Sequence, residues 1–208
     1  MRDKYRDFAD LAANERESLD FQVRVRVSRG APAVIAPHGG GIEPGTSELA
    51  DSVAGMDFSF YAFEGIKNVG NAALHITSTR FDEPQGVMLV ADSPLVIALH
   101  GEDSVDPVVF LGGLDKELGA KIWACLEKEG FVLKTHDNPN LQGLDKNNIC
   151  NRSQTRQGVQ LELSRGLRTS FFRSLDRGGR KHLTELFYRF VNGVRKGIFP
   201  EEFDKLGD

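Results

Sequence analysis

The stretch AVIAPHGGG, residues 33–41, carries the strongest signal for the fold. Four consecutive apolar residues are typical of a strand that is buried on both faces, as strands of parallel sheets are. The glycine-rich residues that follow predict a loop at the carboxyl end of this strand. A helix is expected to begin at Thr46 or Ser47, either of which can cap it, and to run to about Val53.

A second apolar run, LVIAL at residues 95–99, also ends in a polar corner, His100-Gly101-Glu102-Asp103. Carboxyl ends of parallel strands meet at one edge of a sheet, so the two corners are expected to lie together. Strand, helix and strand then alternate along the chain, as they do in α/β proteins. Further strands are predicted at 21–27 (an edge strand), 58–63, 72–77, 108–111, 131–133 and 159–163, helices at 115–129 and 183–194, and either type at 83–91.

These patterns predict one α/β domain over residues 1–208, with a mixed, mostly parallel central sheet flanked by helices. The composition agrees, because 208 residues with 40% hydrophobic and 27% charged side chains can bury a core, which excludes a disordered chain. No apolar run approaches the ~20 residues of a membrane span. Two cysteines are too few for a disulfide framework.

Charge and the amino terminus limit the partners and the location. The net charge of −4 argues against a general nucleic-acid binder. The charged amino terminus lacks the apolar stretch of a signal peptide, which predicts a cytoplasmic protein as synthesised. Nothing in the sequence indicates an obligate partner or a membrane, so a monomer is expected.

The segment from Arg152 to Lys181 is locally basic. Its eight basic residues outnumber two acids, a balance of +6 that would attract an anion. Alternatively, these arginines lie on solvated helix faces or pair with acids elsewhere. The basic residues are Arg152, Arg156, Arg165, Arg168, Arg173, Arg177, Arg180 and Lys181, and the acids are Glu162 and Asp176.

Two histidines, His38 and His100, follow the two buried strands, and Glu43 lies five positions after His38 across the glycines. Two histidines and one glutamate form a catalytic zinc set that leaves a fourth position for water. Each histidine alone is more commonly a hydrogen-bonding residue. The glycines also suit a phosphate cradle, although the Gly-Lys-Ser/Thr ending of a P-loop is missing.

Glu162 alternates with Leu161 and Leu163 in the predicted strand at 159–163, so it lies on the opposite face from these leucines. On a central strand its carboxylate would be buried and would have to be paired or used in chemistry, because burying an isolated charge is costly. On an edge strand it would simply be solvated. The sequence leaves both readings open.

Several blocks, in this order along the chain, resemble the phage and bacillar poly-γ-glutamate hydrolase family. They are HGGGIEPGTSEL (38–49), LHITST (74–79), FDEP (81–84), His100-Gly101, Asn151-Arg152 and QLELS (160–164). The resemblance implies a fold like that of zinc carboxypeptidases, one zinc ion bound by His38, Glu43 and His100, and Glu162 as the general base. It also implies hydrolysis of γ-glutamyl amide bonds, with internal cleavage of the polymer, and release by lysis if the protein comes from a phage.

This reading assigns further residues. Arg152 or Arg80 is expected to supply a cation for the oxyanion. Every γ-glutamyl unit keeps a free carboxylate, which Arg152 would grip in a bidentate fork. His75 is a partner of the ligands, a substrate donor or a packed histidine. Other expected substrate contacts are Asn147, Asn148, Asn151 and Arg165, with Arg168 extending the basic track.

Two other functions compete with this one. The same metal set would serve a carboxypeptidase or deacylase that acts on a small acidic amide. A non-catalytic module would instead use the glycines and arginines to hold an anion, without a metal and without turnover.

Overall fold

The computed structural model describes residues 3–199, which form a seven-stranded sheet with helices on both faces. The strands are β1 (Phe21–Arg26), β2 (Ala33–Gly40), β3 (Ser59–Gly65), β4 (Val96–Glu102), β5 (Val109–Gly113), β6 (Leu133–Lys134) and β7 (Gly158–Ser164). The helices are α1 (Phe8–Ala12), α2 (Thr46–Ala54), α3 (Pro84–Asp92), α4 (Lys116–Lys128), α5 (Arg165–Ser170) and α6 (Glu185–Ile198).

The sheet is mixed and mostly parallel, with the strand order β1-β3-β2-β4-β7-β5-β6. β1 is an antiparallel edge strand on β3, and β5 is antiparallel to β7, whereas the other neighbours run parallel. The α/β class, the mixed sheet and the flanking helices predicted from the sequence are confirmed. β2, β4 and β7 are adjacent at the centre, so their carboxyl ends lie side by side.

The sheet is covered on both faces by apolar residues. Val34 and Ala36 of β2 pack with α2, α4 and α6 on one face. Ala33 and Ile35 of the same strand pack with α3 and the amino-terminal residues on the other face. This burial explains why β2 reads as an unbroken apolar run rather than an alternating one. Within the described residues, no helix is long and apolar enough to cross a membrane.

The region after Ala36 differs from the sequence expectation. β2 continues through His38 to Gly40, with a shift of register between Ala36 and Gly39, so His38 lies inside a strand and not in a loop. The expected hydroxyl cap of α2 was also wrong. Gly45 is the N-cap residue, and the Ser47 hydroxyl instead accepts a hydrogen bond from the Gly40 amide at 2.9 Å.

The predicted strand at 72–77 was wrong as well. Residues Asn71–Leu74 form a 3₁₀ helix, and the chain then continues as a loop. Leu74 and Ile76 are both buried, and this spacing of two imitates a strand although the segment pairs with none. The ambiguous stretch at 83–91 is the helix α3, which Glu83 caps by accepting from the amides of Gln85 and Gly86.

Candidate metal centre and active-site cleft

A cleft of about 1050 Å³ opens at the carboxyl ends of the three central strands. His38 of β2, His100 of β4 and Glu162 of β7 line it, and each is at most 5% exposed. His100 and Glu162 are paired in the register of β4 and β7, which puts their side chains on the same face of the sheet. The two polar strand ends therefore meet, as the sequence predicted.

The tight turn after β2 brings Glu43 back to His38. The Glu43 amide donates to the His38 carbonyl at 2.9 Å, and the Ile42 amide donates to the Gly39 carbonyl at 3.2 Å. A Cβ atom on Gly39 would lie 2.1 Å from the Ser47 hydroxyl oxygen, so the turn requires glycine there. Although four residues separate His38 from Glu43, the turn thus brings the Glu43 carboxylate next to the His38 imidazole.

Three side chains bring atoms that could bind a metal close together: two imidazoles and one carboxylate. His38 Nδ1 lies 3.1 Å from Glu43 Oε1 and 3.1 Å from His100 Nδ1, and His100 Nδ1 lies 3.6 Å from Glu43 Oε2. Ligands bound to tetrahedral zinc at about 2.0–2.1 Å are separated by about 3.3–3.4 Å. The measured separations are close to this value, and imidazole and carboxylate are donors that zinc accepts.

The hydrogen bonds of His38 support a cation between these donors. His38 Nε2 lies 2.8 Å from the Ile76 carbonyl, which can only accept, so the hydrogen is on Nε2. In the neutral ring Nδ1 then presents a lone pair to the Glu43 carboxylate and to the second imidazole. Such an arrangement needs either a proton donated by His100 or a metal cation between the groups, and a carbonyl behind a metal-bound histidine is the usual partner.

The electrostatics of Glu43 and His100 agree with this view. Burial alone would raise the pKa of Glu43, but His38 and His100 outweigh it and hold this pKa well below its usual range. Burial acts to lower the pKa of His100, whereas Glu162 and Glu43 act in the opposite direction and raise it overall. Because its pKa is lowered, the Glu43 carboxylate is available as an anionic ligand. His100 Nε2 is buried and, among the described residues, has no hydrogen-bond partner.

His75 gives a second possible ligand set, which the sequence did not predict. Its donor atom and those of His38 and Glu43 lie within 4.8 Å of one another. His75 Nε2 is 3.9 Å from Glu43 Oε1, and the ring stacks on His38 with centroids 4.0 Å apart. Burial and the neighbouring His38 lower the pKa of His75 to about 4, against the opposing effects of Glu43 and Asp3.

Asp3, from the segment before α1, holds His75 from behind. Its buried carboxylate lies 2.8 Å from His75 Nδ1 and accepts from the Thr77 amide at 2.8 Å. Arg80 forms an ion pair with the same carboxylate. No sequence pattern indicates Asp3, because 72 positions separate it from His75. The structure therefore gives Arg80 a role in holding Asp3, whereas the sequence analysis expected it beside the substrate, as a cation for the oxyanion.

Glu162 is buried in the cleft on a central strand, which decides between the two readings of the sequence. Burial, reinforced by the negative charges of Glu43 and Glu102, raises its pKa to about 7, although His100 acts to lower it. Gln160 Nε2 donates to Glu162 Oε1 at 2.9 Å. Asn148 in turn donates to Gln160 Oε1 at 2.8 Å. Asn148 thus acts on Glu162 through Gln160, which shares its face of β7.

Arg152 does not line the cleft. Its guanidinium donates to the carbonyls of Asn147 at 2.7 Å and Phe81 at 2.8 Å, and to those of Ser78 and Thr79 at longer range. These bonds hold the guanidinium against the loop at 78–81, and Arg152 itself is outside the cleft lining. The structure therefore places Arg152 where it holds the loop at 78–81, and the contact with substrate or oxyanion expected from the sequence is not seen in this geometry.

Asn147 and Asn151 also stabilise loops and lie outside the cleft lining. The Asn151 amide donates to the carbonyls of Gly143 and Asp145, and its oxygen accepts from the Gly158 amide. Asn147 is exposed, and its backbone N–H donates to the Asp145 carboxylate. The structure does not place the substrate contacts that the sequence predicted for them in the cleft, because the Asn151 side chain is fully engaged by the loop and Asn147 is not part of the cleft lining.

Arg165 and Arg168, one helical turn apart on α5, are the arginines that line the cleft within residues 3–199. Arg165 is exposed, whereas Arg168 is 3% exposed. The Arg168 guanidinium donates to the carbonyls of Leu163, Pro44 and Glu102 at 2.8–3.1 Å. A Cβ on Gly101 would lie 2.6 Å from its Cζ. Only two of the eight basic residues at 152–181 therefore reach the cleft.

Known proteins resemble this chain over most of its length. A sequence model of the family described as poly-gamma-glutamate hydrolase matches residues 5–193. UPF0714 protein YndL of Bacillus subtilis (strain 168) is 39% identical over 199 residues, covering 91% of this chain and 78% of that protein. SPbeta prophage-derived UPF0714 protein YoqZ of the same organism is 37% identical over 198 residues, covering 94% and 72%.

Two solved structures share the whole fold. A bacteriophage poly-gamma-glutamate hydrolase superposes with a TM-score of 0.92 at 29% identity, covering 99% of this chain and 100% of that chain. A zinc-free apo structure of YndL superposes with a TM-score of 0.89 at 38% identity, covering 95% and 98%. The family match spans nearly the entire chain, and on this evidence the protein belongs to the poly-γ-glutamate hydrolase family.

Proposed function

We propose that the protein is a zinc-dependent hydrolase that cuts γ-glutamyl amide bonds inside poly-γ-glutamate chains. The observation that carries the proposal is the convergence of His38, Glu43 and His100 within 3.1–3.6 Å, beside a buried Glu162 in one cleft. Membership of the poly-γ-glutamate hydrolase family supports the reaction and the substrate.

His100 is proposed as the third ligand, with His75 beside the site. His100 Nδ1 is closer to Glu43 than His75 Nε2 is, at 3.6 Å against 3.9 Å. Three protein ligands leave one position open, which catalytic zinc sites require. The donor set favours zinc over Mg²⁺ or Ca²⁺, which prefer oxygen ligands. The solved structure of YndL is a zinc-free apo form, which supports the same metal for this chain.

The chain's residues divide the chemistry between them. When bound, zinc supplies a Lewis acid that polarises the scissile carbonyl and lowers the pKa of water to about 7. Glu162 accepts a proton from the attacking water and returns it to the departing amine. A pKa raised to about 7 suits both steps, because the group is then readily ionised and readily protonated near neutral pH.

Arg168 and Arg165 are proposed to take the roles that the sequence gave to Arg152 and Arg80. Arg168 is a buried cation fixed by three carbonyls, so it is preorganised to stabilise negative charge that develops on the substrate oxygen. Arg165 has no acidic partner within salt-bridge distance in residues 3–199 and is free to pair with a substrate carboxylate.

Chain-length analysis of the polymer tests the proposal. Purified zinc-loaded protein is incubated with poly-γ-glutamate and, as a linkage control, with α-linked poly-glutamate, and size is followed by chromatography with light scattering. We expect a rapid fall in the mass of the γ-linked polymer with little monomer, and no change in the α-linked control.

Other results would reject parts of the proposal. Steady release of monomer from an otherwise long polymer would show end trimming instead of internal cleavage. Cleavage of small N-acyl amino acids in preference to polymer would favour the deacylase function. Binding of polymer by zinc-loaded protein with no turnover would favour an anion-binding module.

A further inference from the structure

A second, open cleft of about 400 Å³ lies beside the catalytic one. The segment 175–181 separates the two: Leu175 and Asp176 line the catalytic cleft, whereas Arg177, Arg180 and Lys181 line the second cleft. Helix α2 also borders both regions. It begins three residues after Glu43, and its residues Glu48, Asp51 and Ser52 line the second cleft. A polymer chain that extends out of the catalytic cleft past segment 175–181 would therefore reach the second cleft.

The second cleft contains more positive than negative charge. Four cations, Arg24, Arg177, Arg180 and Lys181, line it together with two acids, Glu48 and Asp51. Arg180 is paired with Glu48, and Arg24 is paired with Asp51.

Arg177 and Lys181 are both exposed, and neither has an acidic partner within the described part of the chain. The Arg177 guanidinium does contact the Ile66 carbonyl at 2.6 Å, which fixes its position but leaves its charge uncompensated. Two unpaired cations are thus held at the surface of this cleft.

The catalytic cleft has the opposite balance. Within residues 3–199, Arg165 and Arg168 are the arginines or lysines that line it, against six acidic side chains, which are Glu43, Glu102, Asp103, Asp145, Glu162 and Asp176. One zinc ion does not reverse this excess. A substrate with a carboxylate on every residue therefore finds little compensation beyond the units next to the cut, although charge complementarity is what steers a polyanion to its site.

We propose that the second cleft is a distal binding site for the carboxylates of a polyanionic chain whose scissile bond lies in the catalytic cleft. Arg177 and Lys181 are its principal contacts, and Arg24 and Arg180 add to the positive electrostatic potential of the cleft. This inference rests on the proposed function and deepens it, because it predicts that long chains are preferred over short ones for a physical reason located outside the catalytic cleft.

The test uses the zinc-loaded Arg177→Ala/Lys181→Ala double variant. Its control, Lys121→Ala/Lys128→Ala on α4, removes the same charge from a different surface. Each exposed ion pair contributes about 1.5- to fivefold in affinity, so loss of both should raise KM for long poly-γ-glutamate roughly two- to twenty-fivefold. The rise should shrink at high ionic strength. KM for a short γ-glutamyl oligomer and kcat for both substrates should remain at wild-type values, and the control should match wild type throughout.

Two outcomes would overturn the inference. One is an unchanged KM for the long polymer. The other is an equal rise for polymer and oligomer, which would place the effect in the catalytic cleft.

Direct binding separates this inference from the proposed function. Calorimetric titration of Glu162→Gln protein with long polymer, with and without the double substitution, measures affinity without turnover. Weaker binding of the doubly substituted protein supports the distal site even if wild type hydrolyses nothing, and equal binding refutes it.

Discussion

The substitution Glu162→Gln should stabilise the metal-free protein at alkaline pH. Raising the pKa of this carboxyl from its ordinary 4.5 to about 7 means that its ionisation is less favourable in the folded protein than in the unfolded chain. The difference corresponds to about 3 kcal/mol, at 1.36 kcal/mol per pH unit. Glutamine has nearly the same shape and can still accept from Gln160, but it carries no charge to bury.

The pH dependence of this effect has a definite sign. Below pH 4.5 Glu162 is protonated in both states, so the two proteins should have similar free energies of unfolding. Between pH 4.5 and 7 the carboxyl ionises in the unfolded chain first, and wild type progressively loses stability relative to the variant. Above pH 7 the variant should be more stable by up to about 3 kcal/mol.

Urea unfolding in a chelating buffer at several pH values measures this difference. Glu117→Gln is the control, because Glu117 is an exposed helix residue, and its effect should be small and constant above pH 5. A stability difference between Glu162→Gln and wild type that does not change from pH 5 to pH 8 would refute the reasoning. So would a variant less stable than wild type at pH 8.

Three further substitutions test positions that the structure reassigns. Asp3→Ala removes the acceptor behind His75, which is not a proposed ligand, so zinc affinity in a chelator competition should stay within a few-fold of wild type and of Asp7→Ala, which removes only the cap of α1; a loss of about 10–100-fold, the size expected for the partner of a ligand, would make His75 a ligand instead. Arg168→Lys cannot reproduce the three-carbonyl geometry and should lower kcat about 10²–10³-fold with zinc content unchanged; normal kcat would exclude its role. Arg152→Ala should lower the free energy of unfolding by about 2 kcal/mol by freeing the loop carbonyls, with zinc affinity at the wild-type value; an unchanged urea midpoint would contradict this.

The central strands and the convergence of their histidines could be predicted from the sequence. Unbroken apolar runs before His38 and His100 indicate parallel strands buried on both faces, and parallel strands bring their carboxyl ends together. The sequence could not decide whether Glu162 was central, because its alternation with leucines fits an edge strand equally well. The decision depends on β5 pairing with β7, which is a tertiary contact.

The assignments that failed share a different cause. Arg152 and Asn151 look like substrate donors in sequence, but nearby loop carbonyls compete for the same hydrogen bonds. Asp3 could not be found because its effect on His75 depends on a contact between distant parts of the chain. Likewise, the basic residues of the segment 152–181 are distributed over different surfaces of the fold. The net charge of +6 for the segment therefore does not predict the charge of any one cleft.

The central claim is that one divalent ion, held by His38, Glu43 and His100, is required for hydrolysis of the γ-glutamyl polymer. Stepwise titration of metal-free protein with zinc, while the initial rate of polymer cleavage is recorded, tests it directly. The rate should rise from zero to a plateau at one zinc per chain, and His100→Ala should require far more zinc. Cleavage at full rate in the presence of a strong chelator, or a rate indifferent to added zinc, would contradict the claim.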